Sequence, residues 1–209
     1  MTSNNHNSWF LDDIEEIQKR WQFLRLRAAV KHGKTERVQQ ILDQYPDLLH
    51  FSDRSGWTLL HFAAASNCVE IVQFLLDKGA EVNQPDNHYI LPLHPAIEEG
   101  GYEAVKLLIE YGAKTDAKYM NLWLPIHLAA ASNRPDILSL LIEAGQSSNC
   151  QDDFGMTPLH CAADGGHIEA VQRLLDKGAD KTIKDGDGRT PADLAEKSHH
   201  PQIAELLSK

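Results

Sequence analysis

The stretch Gly155-Met156-Thr157-Pro158-Leu159-His160 decides the reading of the chain, because its last residue is one of four histidines, His61, His94, His127 and His160, set 33 residues apart. A fixed period of that length is the signature of a stacked-repeat protein. Working outward from the histidines, other columns keep the same step. Val72, Val105, Leu138 and Val171 form one apolar column; Leu75, Leu108, Leu141 and Leu174 form a second; Leu76, Ile109, Ile142 and Leu175 form a third. Gly79, Gly112, Gly145 and Gly178 close each apolar run, where a helix ends on a residue that takes positive φ without steric cost. Each unit therefore reads as two short helices and a turn. One such unit cannot bury its apolar face alone, so its neighbour must.

The lines Asp53 to His61, Asp86 to His94 and Asp152 to His160 are each followed by an Ala-Ala or Ala-Ile step, and Leu-Leu-Asp-Lys-Gly-Ala recurs at Leu75 to Ala80 and Leu174 to Ala179. In these lines the chain closely resembles the ankyrin repeat family. The resemblance implies an all-α solenoid of stacked helix-turn-helix units with β-hairpin loops. Its units fall at 22–52, 53–85, 86–118, 119–151, 152–184 and 185–209, the first degenerate and the last a C-terminal cap. Residues 1–21 are set apart as a tail and an amphipathic helix, in which Phe10, Ile14, Ile17, Trp21 and Leu24 share one face. That helix is predicted to bury Ile14, Ile17 and Trp21 against the exposed end of the solenoid; dimerisation or a partner groove is its alternative role. Asp12, Asp13, Glu15 and Glu16 are read as lying near the helix start.

Composition narrows the function. At 209 residues and 42% hydrophobic content the chain supports a large core, and the repeats make it one elongated domain. No run approaches the roughly 18 apolar residues of a membrane span, and no secretory leader is visible, so a cytoplasmic protein is expected. Cys68, Cys150 and Cys161 are odd in number and lack C-x-x-C spacing, which predicts reduced structural thiols. The net charge of −10 is unevenly placed: residues 38–172 hold 6 Lys and Arg against 18 Asp and Glu, a net of −12. Such a surface repels phosphate backbones and attracts basic ones, so nucleic acid is excluded as a partner.

The pattern breaks in two adjacent units. Thr157 caps its helix and Pro158 takes the first helical position, and Thr58 and Thr190 repeat the cap; the central units carry Leu91 and Leu124 there instead. Those units also place Tyr89 and Leu122 where Gly56, Gly155 and Gly188 stand elsewhere, and the first of them adds Pro95. Local rule-breaking of this kind marks candidate function.

Chemistry is sparse. Histidines one per unit stand about 10 Å apart on the spacing of packed helices, too far to share an ion, and the resemblance implies that they tie helix starts to turns. His199-His200 reads as a solvated loop. No nucleophile, phosphate-loop or metalloprotease motif occurs, and Glu98-Glu99 are helix neighbours that do not converge on one bond. No enzyme activity, cofactor or metal is expected.

In ankyrin proteins the hairpin tips and the ends of the first helices line the concave face used for partners. Carried onto this sequence, the resemblance implies a partner-binding set of Trp57, Tyr89, Ile90, Met120, Trp123, Phe154 and Met156 at the tips, with Glu98, Glu99 and Asp164 at the helix ends. The two tryptophans are the predicted anchors. The expected function is non-enzymatic protein recognition by a monomer, as an inhibitor, an immunity or self-protection protein, or an adaptor. The partner should be another protein with a basic rim and an apolar centre. A passive scaffold and an enzyme with an unrecognised site are the alternatives, and Leu75 to Asn83 resembles a segment that asparagine hydroxylases modify.

Overall fold

In the computed structural model the described residues are 6–120 and 123–209, with side chains from residue 16 onward. The chain folds into paired helices: α1 (His6–Lys31) with α2 (Thr35–Gln44), α3 (Leu59–Ala65) with α4 (Val69–Asp77), and α5 (Leu93–Glu99) with α6 (Tyr102–Glu110). Then come α7 (Pro125–Ala131) with α8 (Pro135–Glu143), α9 (Pro158–Asp164) with α10 (Ile168–Asp176), and α11 (Pro191–Lys197) with α12 (Pro201–Ser208). First helices pack on first helices and second on second, giving two layers, the solenoid the period predicts.

The first layer packs closely because its helices are alanine-rich. Ala63, Ala64, Ala96, Ala129, Ala130, Ala162, Ala163 and Ala195 are all fully buried, and small side chains let adjacent backbones approach. The apolar columns read from the sequence, Val72 to Val171 and Leu75 to Leu174, fill the space between the layers. Gly79, Gly112, Gly145 and Gly178 end their helices at φ between 80° and 100°.

Polar ladders join the units. Each motif histidine is buried, and at His61 the ring spans two units: Nε2–H donates to the Ile90 carbonyl at 3.0 Å while Nδ1 accepts from the Thr58 N–H at 3.2 Å. A carbonyl only accepts, so the proton sits on Nε2. Burial pushes all four rings below the usual imidazole value, against the opposing pull of the carbonyl bond. A second ladder has no counterpart in the sequence reading. Cys68, Arg134, His167 and His200 stand at one place in the repeat, and each donates to a carbonyl of the preceding first helix: Val30, Glu98, Ala131 and Asp164. His200 is thus a structural donor, which corrects its reading as a solvated loop.

Asn83 and Asn149 form a third ladder. Asn83 donates to Gly112 O at 2.9 Å and accepts from Lys114 N at 2.8 Å, and Asn149 does the same toward Gly178 and Asp180. The side chain of Asn83 is therefore committed to the repeat. Burial raises the thiols of Cys68, Cys150 and Cys161, Cys150 to about 11.

The N-terminal helix differs from expectation in three ways. α1 runs unbroken through residues 21 and 22, so no boundary separates a capping helix from the first unit. It begins at His6, which puts the acidic stretch beyond its first turn. Its buried side chains are Phe23, Leu26, Ala29 and Val30, while Ile17, Trp21 and Leu24 are exposed. The expectation that Ile17 and Trp21 cover the solenoid is thereby overturned, because the helix presents the neighbouring stripe to the core. Ile14 and Phe10 lie outside the residues whose side chains are described.

Candidate functional site

The tips of units two, three, five and six share one construction. Asp53, Asp86, Asp152 and Asp185 each accept two turn N–H groups on Oδ1, and each donates its own N–H to the carbonyl four residues on. This aspartate turn explains why these units begin with Asp. Thr58 and Thr157 complete capping boxes with His61 and His160, and Thr190 does so with Asp193. Adjacent hairpins then bond directly, Asn87 N to Ser55 O at 3.0 Å and Gly186 N to Phe154 O at 2.8 Å. The glycines make this approach possible: a Cβ on Gly56 or Gly155 would stand 2.8 Å from the next hairpin's backbone nitrogen.

Among the described residues, hairpin four keeps of this only the Tyr119 N–H bonded to the Trp123 carbonyl. Tyr119 replaces the aspartate, so no carboxylate gathers the turn, and Tyr119 and Trp123 instead pair as an isolated antiparallel bridge. The Tyr119 hydroxyl donates to Glu98 Oε1 at 3.0 Å and its ring edge meets His94 at 5.4 Å. Burial, reinforced by that carboxylate, pushes its phenol up to about 12. His94 Nε2 bonds Ala117 O, whereas the other three rings reach the carbonyl that corresponds to Trp123. The cause begins one hairpin earlier. Tyr89 holds the glycine place at φ 63°, and a side chain there excludes the close approach that Gly56 and Gly155 permit. Among the described residues no bond joins Met120 to His88, the equivalent of the Asn87–Ser55 contact.

Two buried polar atoms record the consequence. His127 Nδ1 has no hydrogen-bond partner, although His94 Nδ1, with Leu91 at the same cap place, accepts the Leu91 N–H at 2.9 Å. Asp152 Oδ2 is also unpartnered, although the matching Asp86 Oδ2 accepts from Trp57 Nε1 at 3.1 Å and Trp123 bears the same sequence relation to Asp152. Such atoms are rare in native folds and cluster where function is built.

The predicted anchors separate into two groups. Trp57 is half-buried, stacked on His61 at 5.6 Å, tilted on Phe62 at 5.0 Å and bonded to Asp86, so it is a structural side chain and not an open anchor. Trp123 and Met156 are likewise half-buried against the core, and Ile90 is half-buried. The exposed tip side chains are Tyr89, Met120 and Phe154, at 63%, 49% and 60%. They belong to three consecutive hairpins. Of the carboxylates, Glu98 is tied to Tyr119, Asp164 accepts from Ser198 at 2.5 Å, and Glu99 is exposed. Asp153 beside Phe154 pairs with Lys118 at 2.7 Å. No group of three or more His, Cys, Asp or Glu able to hold a metal occurs among the described residues, and no helix among them is long and apolar enough to cross a membrane.

Comparison with known proteins accords with this geometry. The chain is 36% identical over 74 residues to human transient receptor potential cation channel subfamily A member 1, covering 35% of this chain and 7% of that protein. It is 32% identical over 65 residues to mouse ankyrin repeat domain-containing protein 40 (31% and 18%) and 43% identical over 56 residues to mouse 2-5A-dependent ribonuclease (27% and 8%). The matched stretches span less than a fifth of each of these relatives. The family model for ankyrin repeats (three copies) matches residues 26–119 and 124–209. Repeats of this kind generally mediate protein–protein interaction, and with nearly the whole chain matched, this protein belongs to the ankyrin repeat family.

Proposed function

We propose that the chain is a non-enzymatic recognition module that binds one partner protein across the hairpin tips of units three to five, with Tyr89, Met120 and Phe154 as anchors. The observation that carries this reading is the exposure of three large apolar side chains on consecutive tips, since large rings are costly to leave in water and aromatic side chains are enriched at binding hot spots. Hairpin four supports it: the chain gives up an aspartate turn, a cap and inter-hairpin bonds at this place, which a purely structural array has no reason to do. The surrounding charge of −12 over residues 38–172 favours a partner with a basic rim around an apolar centre. Binding is itself the activity, as in an inhibitor, an immunity protein or an adaptor.

The test is capture of the partner from native lysate followed by calorimetry with Phe154→Ala and Tyr89→Ala. Each is expected to weaken binding about thirtyfold, about 2 kcal/mol on the hot-spot scale, with the melting temperature unchanged or raised. Trp57→Ala is expected to lower the melting temperature. Full affinity in the Phe154→Ala, Tyr89→Ala double variant would sink the proposal.

A further inference from the structure

We infer that the cleft between α1 and the second hairpin binds an acidic turn of another polypeptide, seated where the first unit lacks a hairpin of its own. The surface lies apart from the tips of units three to five and holds whether or not they bind. Because the first unit is one residue longer, stepping back 34 residues carries the turn 53–56 onto residues 19–22. Those residues lie inside α1 and are helical, so hairpin two has no hairpin before it. Elsewhere the second turn residue ties one hairpin to the last: Asn87 N–H donates to Ser55 O at 3.0 Å and Gly186 N–H to Phe154 O at 2.8 Å. Arg54 holds that place in hairpin two, and among the described residues its N–H has no acceptor. Where the missing hairpin would stack, the structure has a cleft of about 670 Å³, within the roughly 300–1,000 Å³ of ligand pockets.

The lining states the chemistry of the occupant. Phe23, buried, and Phe51, half-buried, meet at 5.1 Å and give the cleft an aromatic floor for one apolar side chain. Its two carboxylates are engaged already: Glu16 accepts from Arg20 at 3.0 Å, and Asp53 Oδ1 accepts two turn N–H groups. Glu16 and Arg20 therefore cancel. Arg27 and Arg54 remain on the rim, and neither has a carboxylate partner among the described residues. The Arg27 guanidinium lies 4.8 Å over the Phe62 ring, which fixes its plane and leaves its N–H edge for a carboxylate. An apolar contact, a backbone carbonyl for the Arg54 N–H and carboxylates for two guanidinium groups together describe an acidic turn that carries an apolar side chain. A basic segment is repelled by both arginines, and a free organic acid supplies no backbone carbonyl. Main-chain bonds to an open edge, with side-chain pockets for specificity, are a general mode of peptide capture.

The probe is residues 151–157 as a peptide with blocked ends, since that turn carries Asp152, Asp153 and the Phe154 carbonyl that already accepts from a following hairpin. Titrated to about 2 mM into the isotope-labelled full chain and followed by NMR, it is expected to saturate, with the Arg54 amide among the largest shifts. Asparagine keeps the turn but removes the charge, so the Asp152→Asn, Asp153→Asn peptide should bind about tenfold more weakly, and salt should weaken the parent peptide. In the protein, Arg54→Glu at an exposed position should weaken binding about tenfold at unchanged melting temperature. Arg27→Glu should do the same, its melting temperature being followed because Arg27 stacks on Phe62. Absence of saturation, equal binding of the neutral peptide, indifference to Arg54→Glu, or shifts confined to the tips of units three to five overturns the inference. Benzoate reproducing the Arg54 shift at the same concentration would assign the cleft to small organic acids and overturns it as well.

Discussion

Acidification from pH 7 to pH 5.5 is expected to destabilise this solenoid steeply, because four fully buried histidines must stay neutral for the units to remain tied together. Each ring donates through Nε2 to a backbone carbonyl at 3.0 Å, across the unit boundary at His61, His127 and His160 and within the unit at His94. At His61, His94 and His160, Nδ1 accepts a backbone N–H, so protonation there replaces an acceptor by a donor facing a donor. The folded pKa of each therefore lies below its unfolded value, with burial as the first cause. The unfolded chain binds more protons than the fold, so this contribution is complete above about pH 6.5 and declines as pH falls below it. One unit lower, each ring that stays neutral in the fold costs about 1.4 kcal/mol, and four cost at most about 6 kcal/mol, comparable to the whole stability of many domains at 5–15 kcal/mol. Carboxylates act in a different window. Asp193, held below the usual range by the N–H and hydroxyl of Thr190, loses its contribution only below about pH 4. Urea unfolding at pH 8, 7, 6 and 5.5, with imidazole titration by NMR, separates the two. His160→Gln should reduce the pH slope by one proton. A flat stability between pH 7 and 5.5, or four imidazoles titrating at 6.5 in the folded protein, would refute the argument.

Three further outcomes follow from the hairpins. Tyr89→Gly should stabilise the fold by about 1 kcal/mol in urea melts, since a non-glycine residue at φ 63° bears roughly 1–2 kcal/mol of steric cost, while partner affinity falls with loss of the ring. Gly155→Ala should destabilise more than a surface change does, because its Cβ would stand 2.8 Å from Gly186 N at φ 74°; a melting temperature equal to wild type counts against the close stacking described. Trp57→Phe keeps most of the ring contact but orphans Asp86 Oδ2, so a loss of about 1–3 kcal/mol is expected, with Trp57→Phe, Asp86→Asn recovering none of the indole bond.

The solenoid was legible because stacking repeats every demand it makes. A buried alanine in one first helix requires a small residue in the next, and a glycine that admits the following hairpin requires a glycine one period on. Identity columns therefore report packing directly. Columns defined by chemistry and not identity escaped. Cys68, Arg134, His167 and His200 share no residue type, yet each supplies one donor to one carbonyl, and only the backbone shows the place they fill. The first helix failed through phase. Its two apolar stripes lie side by side, and the longer one was assigned to the core. Tyr45-Pro46-Asp47-Leu48-Leu49-His50 stands where the other units have their Gly-Ala-Asp turn and makes the first unit one residue longer, so stepping back 34 residues from Leu60, Ala63 and Ala64 lands on Leu26, Ala29 and Val30, the side chains that are buried.

At the tips the sequence does not say which side chains face out. Size was read as exposure, whereas a large ring beside a neighbouring hairpin buries itself: Trp57 finds His61, Phe62 and an aspartate, and leaves little surface to offer. Tyr89 and Met120, both exposed, sit at positive φ, 63° and 49°, while Phe154 is exposed although the next hairpin bonds to its carbonyl. Tyrosine in a glycine column was one informative signal, because a residue that cannot be stacked upon is left available to a partner. The aspartate and threonine missing at 119 and 124 serve bonds within their own unit elsewhere, so hairpin four has lost internal bonds as well as those to its neighbour, and His127 Nδ1 and Asp152 Oδ2 stand buried without partners on either side of it.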